Sequence, residues 1–202
     1  MNRENNIEKQ KEGEEIIKNK IEKGEIGVER VLDESVVDKL MEVQEKALPE
    51  GEDPLADRIK KEEFVELIQD PKVVLSVLKK EGEIVGYAFA RPIRDAVQDI
   101  LKYDPKILET DLSDKDDEKK YYFDTVVLMK EHRDLGSSIA LYREMVEEMK
   151  AMRVKKVTFH IREKRGKFSL LIKEFTKKET LIHKIQNFLN SGITIDYLEY
   201  EI

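Results

Sequence analysis

Tyr121-Tyr122-Phe123-Asp124-Thr125-Val126-Val127-Leu128-Met129 runs through Lys130-Glu131-His132 into Arg133-Asp134-Leu135-Gly136-Ser137-Ser138. The first run is aromatic, β-branched or apolar apart from one acid, which is the composition of a buried strand. A glycine and two serines then mark a turn. Beyond it, Ile139, Ala140, Tyr142, Met145, Val146 and Met149 line one face of a helix reaching to about Met152. Residues 154–161 again have strand composition. Strand, turn, helix and strand in about forty residues form a βαβ unit, which requires parallel pairing in a parallel or mixed sheet.

The turn at 133–138 is chemically suggestive. Amides in the first turn of a helix lack intrahelical acceptors, and the helix dipole favours negative charge there. Small side chains let phosphate oxygens approach, and Arg133 adds a cation. The same composition also suits an ordinary turn, so the residues alone leave both readings open.

Taken in order, the strand at 126–129 and the turn at 130–138 resemble the acetyl-CoA signature of the GNAT acyltransferase superfamily. That signature is a strand, then Gln or Arg, two residues, Gly, one residue, and Gly or Ala opening a helix. Here Arg133, Gly136 and Ser138 stand at those places, with Ser138 a small departure. The hairpin carrying Glu83-Ile84-Val85-Gly86-Tyr87-Ala88 is similar to the family's second and third strands, and 154–161 to its fifth. The resemblance covers roughly residues 25–165, with 94–120 set aside as an insertion.

The resemblance implies an α/β (α+β) fold: a mixed, mostly antiparallel central sheet flanked by helices, with a βαβ cofactor-binding core. It implies acetyl-CoA as co-substrate and direct transfer of acetyl to a primary amine. Backbone groups of Val126, Val127 and Leu128 would hold the pantetheine arm as an added strand. Amides of Asp134, Leu135, Gly136, Ser137, Ser138 and Ile139 would hold the pyrophosphate, beside Arg133. Asp124, in the motif strand, is the candidate general base, although a strand-end charge or a structural hydrogen bond would equally place an acid there. The family often has an Asn after its fifth strand and a proton-donating Tyr one to two helical turns later. Those positions fall near Arg165 and Ile172, so the general acid is unassigned. Tyr142, Tyr197 and Tyr200 are substitutes that also suit packing.

Composition narrows the remaining choices. The 202 residues suit one domain over 25–202, preceded by a charged extension at 1–24 that reads as helical. Charged residues make up 40% of the chain and the net charge is −7, which disfavours nucleic acid and anionic membrane surfaces as partners. A small-molecule or peptide amine suits that balance. There is no cysteine, and His132, His160 and His183 show no helical zinc spacing, so no metal is expected. No apolar run reaches signal or membrane-spanning length, which fits a cytoplasmic protein.

Elsewhere, the pattern predicts a strand from Gly24 or Gly27 to about Leu32, and helices near 35–47 and 60–69. Hairpin strands follow at 73–79 and 84–90, with a short helix ending near Leu101. Residues 167–190 read as helices broken near Thr176, with His183 on the later one, Gly192 as a cap, and 193–202 as a terminal strand. His160 reads as a satisfied polar strand residue, and the terminal strand as one able to pair across a homodimer. Two rival functions remain: an inactive acyl-CoA sensor, or an interaction protein using 1–24 and 94–120.

Overall fold

The computed structural model describes residues 26–48, 58–110, 119–162 and 176–202. The charged extension at 1–24, residues 49–57, the acidic run 111–118 and the positions Arg165 and Ile172 lie outside the described residues. Within them, β1 (Ile26–Arg30) is followed by α1 (Val37–Ala47) and α2 (Lys61–Gln69). The hairpin β2 (Val74–Lys80) and β3 (Glu83–Pro92) leads to α3 (Ile93–Ile100) and the short α4 (Ile107–Thr110). Then come β4 (Lys120–Leu128), α5 (Leu135–Ala151), β5 (Lys156–Arg162), β6 (Lys178–Ile185) and β7 (Ile195–Glu201).

One seven-stranded sheet has the order β1-β2-β3-β4-β5-β7-β6. Each neighbouring pair is antiparallel except β4–β5, which the α5 crossover makes parallel. This is the mixed, mostly antiparallel sheet with a βαβ core that the sequence implies.

Each face of the sheet carries its own core. Ala140, Leu141, Met145, Val146 and Met149 of α5 pack with Tyr121, Phe123, Leu198 and Tyr200 on one side. On the other, Val37, Leu40, Val43 and Ala47 of α1 and Phe64 of α2 cover Leu75, Tyr87, Phe89 and Val127. Ile93, Ala96 and Ile100 of α3 close that side over Tyr122 and Tyr197.

Along β4 the facing side changes phase. Tyr121 and Phe123 face α5, and so do Leu128 and the partly buried Val126. The intervening step is a β-bulge: Phe89 pairs with Thr125 but Ala90 with Phe123, so Asp124 is the extra residue. Bulges bend a strand and raise its twist. This one sits where β4 leaves β5.

Three expectations at the C-terminal end are corrected. Residues 178–185 form strand β6 instead of a helix. Their Lys, Glu and Leu content favours helix, and a register shift between Leu181 and His183 hides the alternation that would have identified a strand. Gly192 has the left-handed φ of 74° expected of a cap, but it closes the connection between β6 and β7, where Asn187 and Leu189 are also left-handed. The terminal strand β7 lies between β5 and β6, so both its edges are used and it cannot pair across a dimer.

At the parallel end, Lys120 and Lys156 are cross-strand neighbours. Glu199 of β7 bridges them at 2.7 and 3.0 Å, replacing a like-charge repulsion with two ion pairs. Burial alone would raise the Glu199 pKa, but the two lysines outweigh it and hold it below the usual carboxylate value. A lowered carboxyl pKa stabilises the fold fully above the unfolded value of about 4.3, and that stability is lost as pH falls through the folded value. Glu199→Gln is therefore expected to cost about 2 kcal/mol at neutral pH, because Lys120 loses the buried charge of Glu199. Thermal melts should show the gap between wild type and variant closing below about pH 4.

Candidate active site

The two strands of the parallel pair soon part. Only Lys120↔Lys156, Tyr121↔Val157 and Tyr122↔Thr158 are paired. β4 then continues to Leu128 against β3, while β5 continues to Arg162 against β7. Among the described residues, the β5-facing edge of 125–128 has no strand partner. Such an edge can accept an extended ligand as an added strand.

The parting point is held by charge. Arg91 on β3 grips Asp124 with both arms: Nε donates to Oδ2 at 3.0 Å and Nη2 to Oδ1 at 2.9 Å. Nη2 also reaches Asp99 on α3 at 2.8 Å. Burial alone would lower the guanidinium's pKa, but the two carboxylates outweigh this and raise it. The Asp124 side chain is only 12% exposed, and both its oxygens engage the guanidinium. That is the environment of a structural ion pair, one of the alternatives open to this residue from sequence.

At the far end of β4, the turn folds back under the strand and starts α5. Arg133 Nε donates to Leu128 O at 3.1 Å, and its Nη2 donates to Ala47 O. In this arrangement Arg133 clamps the turn to α1, where the sequence expectation placed it beside phosphate. Asp134 is the N-cap: its Oδ1 accepts from Ser137 N at 2.7 Å and its Oδ2 from Ser137 Oγ at 2.9 Å. Ser138 N and Oγ both reach Asp134 O, at 3.3 and 3.2 Å. Within the expected cradle of Asp134 to Ile139, the amides of Ser137 and Ser138 are thus engaged by Asp134, while helix geometry leaves those of Leu135 and Gly136 without intrahelical acceptors.

Lys80, at the end of β2, pairs with Asp134 Oδ2 at 2.8 Å. Burial would raise the Asp134 pKa, but Lys80 and Ser137 hold it below the usual range. Lys80 therefore sets a cation beside the helix start, which nothing in the sequence pattern indicated. Gly86 had a signal, since a lone glycine inside a strand marks a close approach. It pairs with Leu128, and a Cβ there would collide with Leu128 Cδ2 and lie 2.8 Å from Val127 O.

On the α3 face, next to the parting point, lies a chain of polar rings. Tyr103 Oη and Tyr122 Oη are 2.9 Å apart, and Tyr122 Oη is 2.9 Å from His160 Nδ1. His160 Nε2 lies 2.9 Å from Asp104 Oδ2, and His183 Nε2 lies 2.6 Å from the same oxygen. His160 is indeed a satisfied strand residue. His183, expected on a helix with no partner, sits on β6 facing Asp104. Burial lowers the His160 pKa despite Asp104. The Asp104 pKa is lowered by the two imidazoles against the opposing effect of burial. The three tyrosines considered as proton donors are all core residues: Tyr142 stacks on Phe123, Tyr197 on His160 and Tyr200 on Phe159.

Known proteins share this fold. The sequence profile described as the Acetyltransferase (GNAT) family matches residues 37–167. No curated protein matched the sequence. Among solved structures, the ribosomal-protein-alanine N-acetyltransferase from Brucella melitensis is 12% identical with a TM-score of 0.64, over 87% of this chain and 99% of that one. The ribosomal-protein-S18-alanine N-acetyltransferase from Escherichia coli is 9% identical with a TM-score of 0.60, over 88% and 94%. The yncA structure from Salmonella typhimurium, which holds its cofactor acetyl-CoA, is 12% identical with a TM-score of 0.63, over 88% and 94%. At these identities the structures establish a shared fold, and the profile, spanning more than half of the chain, establishes the family. The chain belongs to the GNAT family of acetyltransferases.

Proposed function

We propose that this protein transfers acetyl from acetyl-CoA to a primary amine by direct attack. The observation that carries the reading is the gap between β4 and β5, which opens beside an unpaired strand edge and ends at the start of α5. An extended pantetheine arm suits that edge, and a pyrophosphate suits the Leu135 and Gly136 amides with Lys80 alongside. The acceptor enters from the other side of the gap, as the neutral amine of a small molecule or peptide.

Acetyl-CoA supplies the activated acyl group: a C–N bond forms as the C–S bond breaks, and the amine's proton must leave while the thiolate gains one. We assign Asp124 to the bulge, not to proton abstraction. Its engagement with Arg91 fixes the strand bend that opens the gap, and water is left to carry the proton.

Calorimetry with CoA and thiol release from acetyl-CoA across a panel of primary amines test the reading directly. Saturable CoA binding and turnover with at least one amine are expected, with intersecting initial-rate plots. Absence of CoA binding would overturn it. Gly136→Glu places a carboxylate at the helix start and should weaken CoA at least tenfold while leaving the phosphate-free pantetheine unaffected.

The bulge assignment has its own signature. Asp124→Asn and Arg91→Met should each lower thermal stability by about 3 kcal/mol, and the double variant should lose less than their sum. A general base would instead show lost turnover in Asp124→Asn with an unchanged melting temperature.

A further inference from the structure

The polar cluster beside the parting point has a use that acetyl transfer does not require. Asp104, His160 and His183 come from three separate segments: the turn after α3, strand β5 and edge strand β6. They bring three donor atoms within 4.8 Å of one another. The side chains of Asp104, His160 and His183 are 1%, 2% and 11% exposed, so the convergence is internal, with His183 the most exposed of the three.

Two of the donors are already aimed by neighbours. Lys106 N–H donates to Asp104 Oδ1 at 3.2 Å, which leaves Oδ2 for the cluster centre. Tyr122 Oη, backed by Tyr103 Oη, lies 2.9 Å from His160 Nδ1 and turns Nε2 inward. Outer partners of this kind orient ligands in metal sites and fix the tautomer that leaves Nε2 free. Both imidazole Nε2 atoms point at one carboxylate oxygen. We propose that Asp104 Oδ2, His160 Nε2 and His183 Nε2 bind a divalent transition-metal ion of the zinc type.

Two imidazoles and a carboxylate suit such an ion, and three protein donors leave a fourth position for water. In tetrahedral coordination with bonds of about 2.0–2.1 Å, ligand atoms stand about 3.3–3.4 Å apart. The observed 2.6 and 2.9 Å therefore widen by about 0.7–0.8 and about 0.4–0.5 Å on binding. The bound ion would tie edge strand β6 and the α3–α4 turn to β5, at the point where β5 leaves β4.

The test uses the untagged full chain, stripped with chelator and titrated with Zn(II) or Co(II). Expected are one equivalent bound with micromolar or tighter affinity, a raised melting temperature, and Co(II) d–d bands of a four- or five-coordinate site. His183→Ala, at the accessible side of the cluster, should weaken binding about tenfold or more, while His132→Ala, in the α5 turn, should not. Anomalous scattering at the zinc edge from wild-type crystals should place the ion among the three side chains, which keeps the test independent of any variant's folding. No saturable binding, or an ion located elsewhere, would overturn the proposal and leave the cluster a hydrogen-bonded array.

Discussion

Arg91 and Asp124 form the contact on which the shape of the cleft depends. A bulge alone would bend β4 in some direction; a bidentate guanidinium, itself anchored to Asp99 on α3, selects one. The bend frees one edge of 125–128 and reverses the parity of the strand. Val126 and Leu128 then return to the α5 core, and Val127 and Met129 fill the opposite one. A single extra residue thus decides which β4 side chains join each core.

The opposite end of the parallel pair is arranged to stay shut. Glu199 sits between Lys120 and Lys156 and ties β4, β5 and β7 together where the ladder is intact. An ion-paired base and a pinned bulge thus bracket three paired residues on each strand. The wedge between them is defined by charge at both ends, while apolar packing above and below only has to fill it.

How much of this could be read from the chain depends on how local the cause is. The βαβ core was legible because strand composition, turn chemistry and a helical stripe each repeat over several residues between 121 and 161. Gly86 was legible in principle, since an isolated strand glycine has few structural reasons. The bulge was not, because one extra residue leaves composition unchanged and appears only through its partner strand. Asp134 caps the helix because a carboxylate suits that position, but sequence could not say which amides it would occupy. β6 was misread because Lys and Glu favour helix and its own bulge breaks the alternation. That error removed His183 from view, and Asp104, 56 positions from His160 in the chain, had no local signature at all.

The place of β7 in the sheet has a kinetic consequence. It follows the other described strands in sequence, yet it lies inside the sheet and, among the described residues, supplies the only ladder joining β6 to the rest. During synthesis, β5 must wait with one edge uncovered until residues 195–201 have emerged. An uncovered edge bearing Phe159 and Ile161 invites pairing with other chains. Sheet closure is then a long-range event that follows β6, and the yield of folded protein depends on how quickly β7 finds its slot.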